Sequence, residues 1–189
     1  MPQTHPPGRM IFRDTSIEGV WVIEPERFED ERGFFARTWD TAEFAQRGLN
    51  GRLAQCSLSY NRRRGTLRGM HYQAAPHAEA KLVRCTSGSI FDVAVDLRSD
   101  STTFRRWVGT ELSAENRYAM YVPEGCAHGF LTLTEDSEVT YQISEFHAPD
   151  AARGVRWNDP AFGIDWPADV LVVNERDRSY PDFGPATTS

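Results

Sequence analysis

The chain has 189 residues, 40% of them hydrophobic and 25% charged, enough apolar material to bury one core as a single domain over 1–189. Its formal net charge of −6 argues against nucleic acid or an anionic membrane surface as the main partner. No apolar run approaches the ~20 residues of a membrane helix. The opening Met-Pro-Gln-Thr-His-Pro-Pro has no secretory pattern, so a cytoplasmic protein is expected.

Residues 1–10, rich in Pro and polar groups, read as a loose start, and 184–189 as a loose end. Short runs of β-branched and aromatic residues predict strands at 20–23, 34–39, 53–60, 67–73 and 81–86. Five more follow at 90–97, 107–112, 118–122, 130–133 and 138–146. One short helix interrupts them, with Asp40 as its cap, Glu43 completing a capping box and Gly48 as its stop. About ten strands with Gly and polar turns such as Thr86-Ser87-Gly88 predict an all-β sandwich or barrel. Along 91–97, Phe91, Val93, Val95 and Leu97 share one face. Cys56, Cys85 and Cys126 lack metal-type spacing and read as buried thiols in a reducing compartment.

Chemistry in a β fold shows as a polar residue whose parity places it inside. Tyr141 shares a face with Val139 and Ile143, and Lys81 with Val83 and Cys85. His71 shares its face with Leu67, Gly69 and Gln73. Each alone has an ordinary structural explanation: a core tyrosine, a strand-end lysine, a satisfied core histidine. Together, an inward phenol, ammonium and imidazole describe a site. Of the 21 Lys and Arg residues, Lys81 is the single lysine. The segment 122–130 (Val-Pro-Glu-Gly-Cys-Ala-His-Gly-Phe) looks like half of the cupin metal signature, but the other half reads His71-Tyr72-Gln73. His71 and His128 alone fall short of the three protein ligands of a catalytic metal site, so no metal is expected.

Six runs carry a resemblance. They are Asp-Glu-Arg-Gly-Phe-Phe (30–35), Gly-Thr-Leu-Arg-Gly-Met-His-Tyr-Gln (65–73) and Lys-Leu-Val-Arg-Cys (81–85). Then come Asp-Val-Ala-Val-Asp-Leu-Arg (92–98), Pro-Glu-Gly-Cys-Ala-His-Gly-Phe (123–130) and Trp-Asn-Asp-Pro-Ala-Phe-Gly-Ile-Asp-Trp-Pro (157–167). In this order, over about 15–183, the chain resembles dTDP-4-dehydrorhamnose 3,5-epimerases. The resemblance implies a metal-free cupin-type jelly roll with short peripheral helices, a homodimer, and epimerisation of a nucleotide-linked 4-keto-6-deoxy sugar without a cofactor.

That chemistry needs a base on one face of the sugar, an acid on the other, and a positive group at the enolate oxygen. By resemblance His71 is the base, Asp177 orients it, Tyr141 is the acid and Lys81 meets the ketone oxygen. Arg32, Phe35, Gln55, Ser59, Arg68 and His128 match positions around nucleotide and sugar. Arg68 and His71 have opposite parity, so both reach one pocket only if Gly69 marks a bulge or twist.

Three positions depart from the family: Arg37 stands for a Glu, Ser57 for an Asn, and His147 for an aromatic near the substrate. Thymine N3–H suits a glutamate and cytosine N3 suits an arginine, which raises CDP beside dTDP as the nucleotide. Epimerisation at C3 only or C5 only stays open through His147. From another class, a non-catalytic cupin sugar-binding protein is the alternative, and the joint presence of His71, Lys81, Tyr141 and Asp177 speaks against it.

Overall fold

The structure is a computed structural model that describes residues 8–184. Strands β1 (Met10–Asp14) and β2 (Trp21–Pro25) form a first hairpin, and β3 (Arg27–Asp30) and β4 (Gly33–Ala36) a second. Helix α1 (Thr41–Ala45) follows. Then come β5 (Gln55–Asn61), β6 (Leu67–Gln73), β7 (Lys81–Ser87), β8 (Ser89–Asp96) and β9 (Trp107–Ser113). Next are β10 (Ala119–Val122), β11 (Cys126–Thr132), β12 (Ser137–Ile143) and β13 (Ala152–Gly154), and α2 (Glu175–Ser179) closes the order. A six-stranded sheet, β1-β2-β10-β7-β12-β5, faces a five-stranded sheet, β13-β6-β11-β8-β9, while β3-β4 stands apart. Pairing between the strands is antiparallel. This is the all-β jelly-roll sandwich with short peripheral helices expected from the sequence.

The central core lies between the sheets. Val83, Cys85, Met120, Val122 and Val139 from one sheet meet Ile90, Ala94, Leu112, Cys126 and Phe130 from the other. Both sheets also bury their outer faces. Phe44 of α1 packs with Ile23, Leu82, Ala119 and Tyr121 on the six-stranded sheet. Val155 and Phe162, from the segment around β13, cover Met70, Val93, Val95 and Ala127 on the five-stranded sheet. β10 and β11 are therefore buried on both sides and read as nearly continuous apolar runs. The face formed by Phe91, Val93, Val95 and Leu97 exists, and it is the outer one.

Several local expectations need correction. The loose start does not extend to Met10, which is buried and opens β1; the residues before Gly8 and after Gly184 lie outside the described part. The expected strand at 34–39 stops at Ala36, because β4 pairs only with β3. Asp40 does cap α1, accepting the N–H groups of Ala42 and Glu43, but the capping box does not close: the Glu43 carboxylate takes the Met10 N–H instead. Cys85 and Cys126 are buried, whereas Cys56 is exposed on the edge strand β5. Strands β1, β3 and β13 and helix α2 add to the elements expected.

Candidate active site

One end of the sandwich opens into a cavity of about 430 Å³ between β5, β7 and β12 on one wall and β6, β11 and β13 on the other. His71 reaches it from β6 because that strand carries an extra residue. His71 pairs with His128 and Arg68 with Phe130, so three steps on β6 match two on β11. Directly paired residues share a face, which turns both Arg68 and His71 inward and sends Met70 into the outer cluster. The bulge therefore lies at Gly69, whose φ of +144° favours glycine. It corrects the expected parity in one respect: Leu67, opposite Leu131, does not share the face of His71.

The His71 Nε2 lies 2.7 Å from Asp177 Oδ1, and the other carboxylate oxygen accepts the Gly69 N–H at 3.1 Å. Asp177 sits in the first turn of α2, where Asn174 caps the helix by accepting the Asp177 N–H at 2.7 Å. Burial by itself raises the Asp177 carboxyl. The His71 hydrogen bond and charge, the Gly69 N–H and Arg176 outweigh it and hold the group below its ordinary range. An ionised, fully buried carboxylate thus fixes the His71 ring, leaving Nδ1 for a proton from the cavity.

Tyr141 faces the cavity from β12 in the opposite sheet. Burial, and then the charge of Asp92, push its hydroxyl well above the usual tyrosine range, against Arg68 and a hydrogen bond with Ser59. The phenol therefore holds its proton at neutral pH. Lys81 begins β7, its Nζ 2.8 Å from Glu79 Oε1 and 3.4 Å from the His71 carbonyl oxygen across the cavity. His128, on β11 beside β6, points its Nε2 at Asp92 Oδ1, 2.7 Å away, and both side chains are buried. Among the described residues, no group of three or more His, Cys, Asp or Glu side chains comes together as a metal set. Both imidazoles are instead paired one-to-one with carboxylates.

A family profile of dTDP-4-dehydrorhamnose 3,5-epimerases matches residues 14–184. The chain belongs to the dTDP-4-dehydrorhamnose 3,5-epimerase family. It is 45% identical over 172 residues to dTDP-4-dehydrorhamnose 3,5-epimerase of Methanothermobacter thermautotrophicus, covering 89% of this chain and 92% of that one. A crystal structure of dTDP-4-dehydrorhamnose 3,5-epimerase from Bacillus anthracis with TDP and PPi bound is 38% identical, with a TM-score of 0.88, covering 93% of this chain and 100% of that one. A dTDP-4-dehydrorhamnose 3-epimerase of Streptomyces niveus is 40% identical over 170 residues, covering 89% of this chain and 82% of the relative.

In this member of the epimerase family the cavity brings together His71, Lys81, Tyr141, Gln55, Ser57, Ser59, Arg68, His128 and His147, with Asp177 behind His71. Gln55 is engaged by His147, whose N–H donates to Oε1 at 2.7 Å. Arg32, Phe35 and Arg37 do not line it. Arg32 pairs with Asp30 on the β3–β4 hairpin, Phe35 is 65% exposed, and Arg37 donates to Asp40 at 2.7 Å. Four charged residues escaped the sequence reading: Glu79, Arg153 and Arg176 at the cavity, and Asp92 behind His128. The spacing of Glu79 from Lys81 was a usable signal. Arg153 and Arg176 join Arg68 and Lys81 at the cavity, a local positive field in an acidic chain.

Proposed function

We propose that this epimerase inverts C3 and C5 of a dTDP-linked 4-keto-6-deoxyhexose through an enolate. The observation that carries the reading is the opposition of two proton-handling groups: the Asp177-backed His71 on one sheet, and the protonated Tyr141 on the other. The 4-keto group acidifies the neighbouring C–H bonds. His71 takes the proton from one face, negative charge develops on the ketone oxygen near the Lys81 ammonium, and Tyr141 returns a proton from the opposite face. Inversion then needs only rotation of the sugar between the two centres, and no redox step.

The nucleotide in this reading is dTDP. The family and the relatives compared above are named for dTDP sugars, and the Bacillus anthracis structure holds TDP. Support for CDP rested on Arg37, which is tied to the cap of α1. Calorimetry checks this: dTDP should bind at least about tenfold tighter than CDP, a difference of about 1.4 kcal/mol.

The surfaces the fold leaves open support a homodimer. The hairpin carries the exposed Phe34 and Phe35, and the edge strand β5 beside the cavity carries Leu58, 59% exposed. A second copy covering both would protect the sheet edge and bring Arg32 and Phe35 toward a neighbouring nucleotide site. The cytoplasm, where nucleotide sugars are made, is the compartment this reading requires.

Incubation with dTDP-4-keto-6-deoxyglucose in D2O, followed by NMR of the sugar protons, tests the proposal. Deuterium at C3 and C5 with inversion at both supports it. Deuterium and inversion at C3 alone would instead match the name of the Streptomyces niveus 3-epimerase relative, and at C5 alone would mean a 5-epimerase. Absence of exchange would leave a sugar-binding protein.

A further inference from the structure

Each inversion takes a proton from Tyr141 and leaves one on His71, and both groups must be reset before the next. The two are not equally placed to recover. The His71 side chain is 39% exposed and can exchange its proton with water. Tyr141 faces Asp92, Arg68 and Ser59, and a tyrosinate left there sits in a desolvated place with a carboxylate nearby. A sugar filling the cavity displaces the water that would otherwise reprotonate it.

Among the groups near Tyr141, few can store a proton and release it. Arg68 keeps its protons at any working pH. The Ser59 hydroxyl can pass a proton but holds no spare one. Lys81 is paired with Glu79 and, on the reading above, carries the charge that meets the enolate. His128 is different. Its ring lies edge-on to the Tyr141 ring, centroids 6.1 Å apart at 81°, which puts the two side chains in contact. Its Nε2 is held by Asp92 at 2.7 Å, so Nδ1 remains to exchange a proton. The second oxygen of Asp92, Oδ2, is buried without a hydrogen-bond partner. Burial pushes this carboxyl up, against the charge and hydrogen bond of His128 and the charge of Lys81. Its unpartnered buried oxygen, beside an imidazole that can hand a proton on, is a place where a proton can wait.

We propose that the His128–Asp92 dyad is the relay that recharges Tyr141 after each inversion. The inference rests on the epimerase reading and deepens it. The Tyr141 O–H bond breaks as the new C–H bond forms. A His128 N–H then breaks as the Tyr141 O–H re-forms, and Asp92 shares its proton with His128. Over the two inversions of a turnover Tyr141 gives up two protons and His71 gains two. The dyad refills Tyr141 between them, His71 returns both of its protons to water, and when product leaves Tyr141 and the dyad draw two from water, so the balance closes.

Rapid-quench kinetics in D2O with dTDP-4-keto-6-deoxyglucose separate this relay from a merely structural role. In Asp92→Asn the first inversion, driven by a proton already on Tyr141, should run near the wild-type rate and give about one deuterated centre per site. Steady-state turnover should then fall about 100-fold, the scale of a lost acid–base group. If the first inversion and the steady state fall together, or neither changes, the relay is wrong. Should Asp92→Asn fail to fold, His128→Asn carries the same comparison and the same two overturning results. A wild-type enzyme that takes up no deuterium defeats the epimerase reading itself. An active wild type whose variants show no burst defeats only the relay.

Discussion

Arg68 and His71 lie three residues apart on one strand, yet both face the same cavity, because β6 spends an extra residue against β11. The bulge needs Gly69 for two reasons. Its φ of +144° is strained for any other residue, and an added Cβ would sit 2.6 Å from the Gly129 Cα on the neighbouring strand. Backbone cannot yield as a flexible side chain can. Gly69→Ala should therefore cost about 3 kcal/mol in urea unfolding, combining backbone strain with overpacking. It should also abolish epimerisation, since any relaxation of the bulge turns His71 or Arg68 away. An alanine variant with wild-type stability and rate would show that the bulge does not hold the site together.

The pairing of His71 with Asp177 makes a second expectation. Asp177 does not face the cavity, so its part in proton abstraction runs through His71, which it holds at 2.7 Å. His71→Ala should lower kcat about 1,000-fold while dTDP affinity barely moves. Asp177→Asn should approach that loss, because an amide neither fixes the same tautomer nor stabilises the imidazolium. Calorimetry beside initial rates separates the effects: weakened dTDP binding in either variant would mean the pair shapes the pocket rather than the proton transfer.

Tyr141 offers a cleaner separation. A base on one face can abstract a proton and return deuterium from the same face without help from the acid. In Tyr141→Phe, solvent deuterium should still enter next to the ketone, but without inversion, and product should fall by about 100-fold or more. The phenyl ring keeps the packing that Tyr141 makes against the core. Loss of exchange together with inversion would place Tyr141 in enolate formation instead of reprotonation.

How much of this was open to a reader of the sequence follows from which faces are buried. Lys81 and Tyr141 sit on strands whose inward residues, Val83, Cys85 and Val139, belong to the core, so alternation alone put their side chains inside. β8 gave no such contrast. It is buried on both faces, Ile90 and Ala94 inward and Val93 and Val95 outward, so the inward turn of Asp92 was invisible among apolar neighbours. The bulge was legible only as a contradiction between Arg68 and His71, which Gly69 resolves. The partnership of His71 with Asp177 spans 106 residues and depends on where α2 docks, which no local pattern encodes. The resemblance supplied that pair, and the geometry gives it a cause.

Asp177 also ties the site to stability, with a definite sign. Its carboxyl is held below the ordinary range because the His71 and Gly69 contacts outweigh burial. A carboxyl depressed in the folded state adds stability that is fully present above its unfolded value, about 3.9, and is lost as pH falls through the lower folded value. Urea unfolding of the wild type and Asp177→Asn should therefore differ at about pH 5, with the wild type more stable. Below about pH 4 the margin should shrink as the native carboxylate takes up its proton. The measurement is a pair of unfolding series at several pH values. A margin that does not change between pH 5 and pH 3 would mean that Asp177 stabilises the fold by packing alone, and that its charge is not what holds His71.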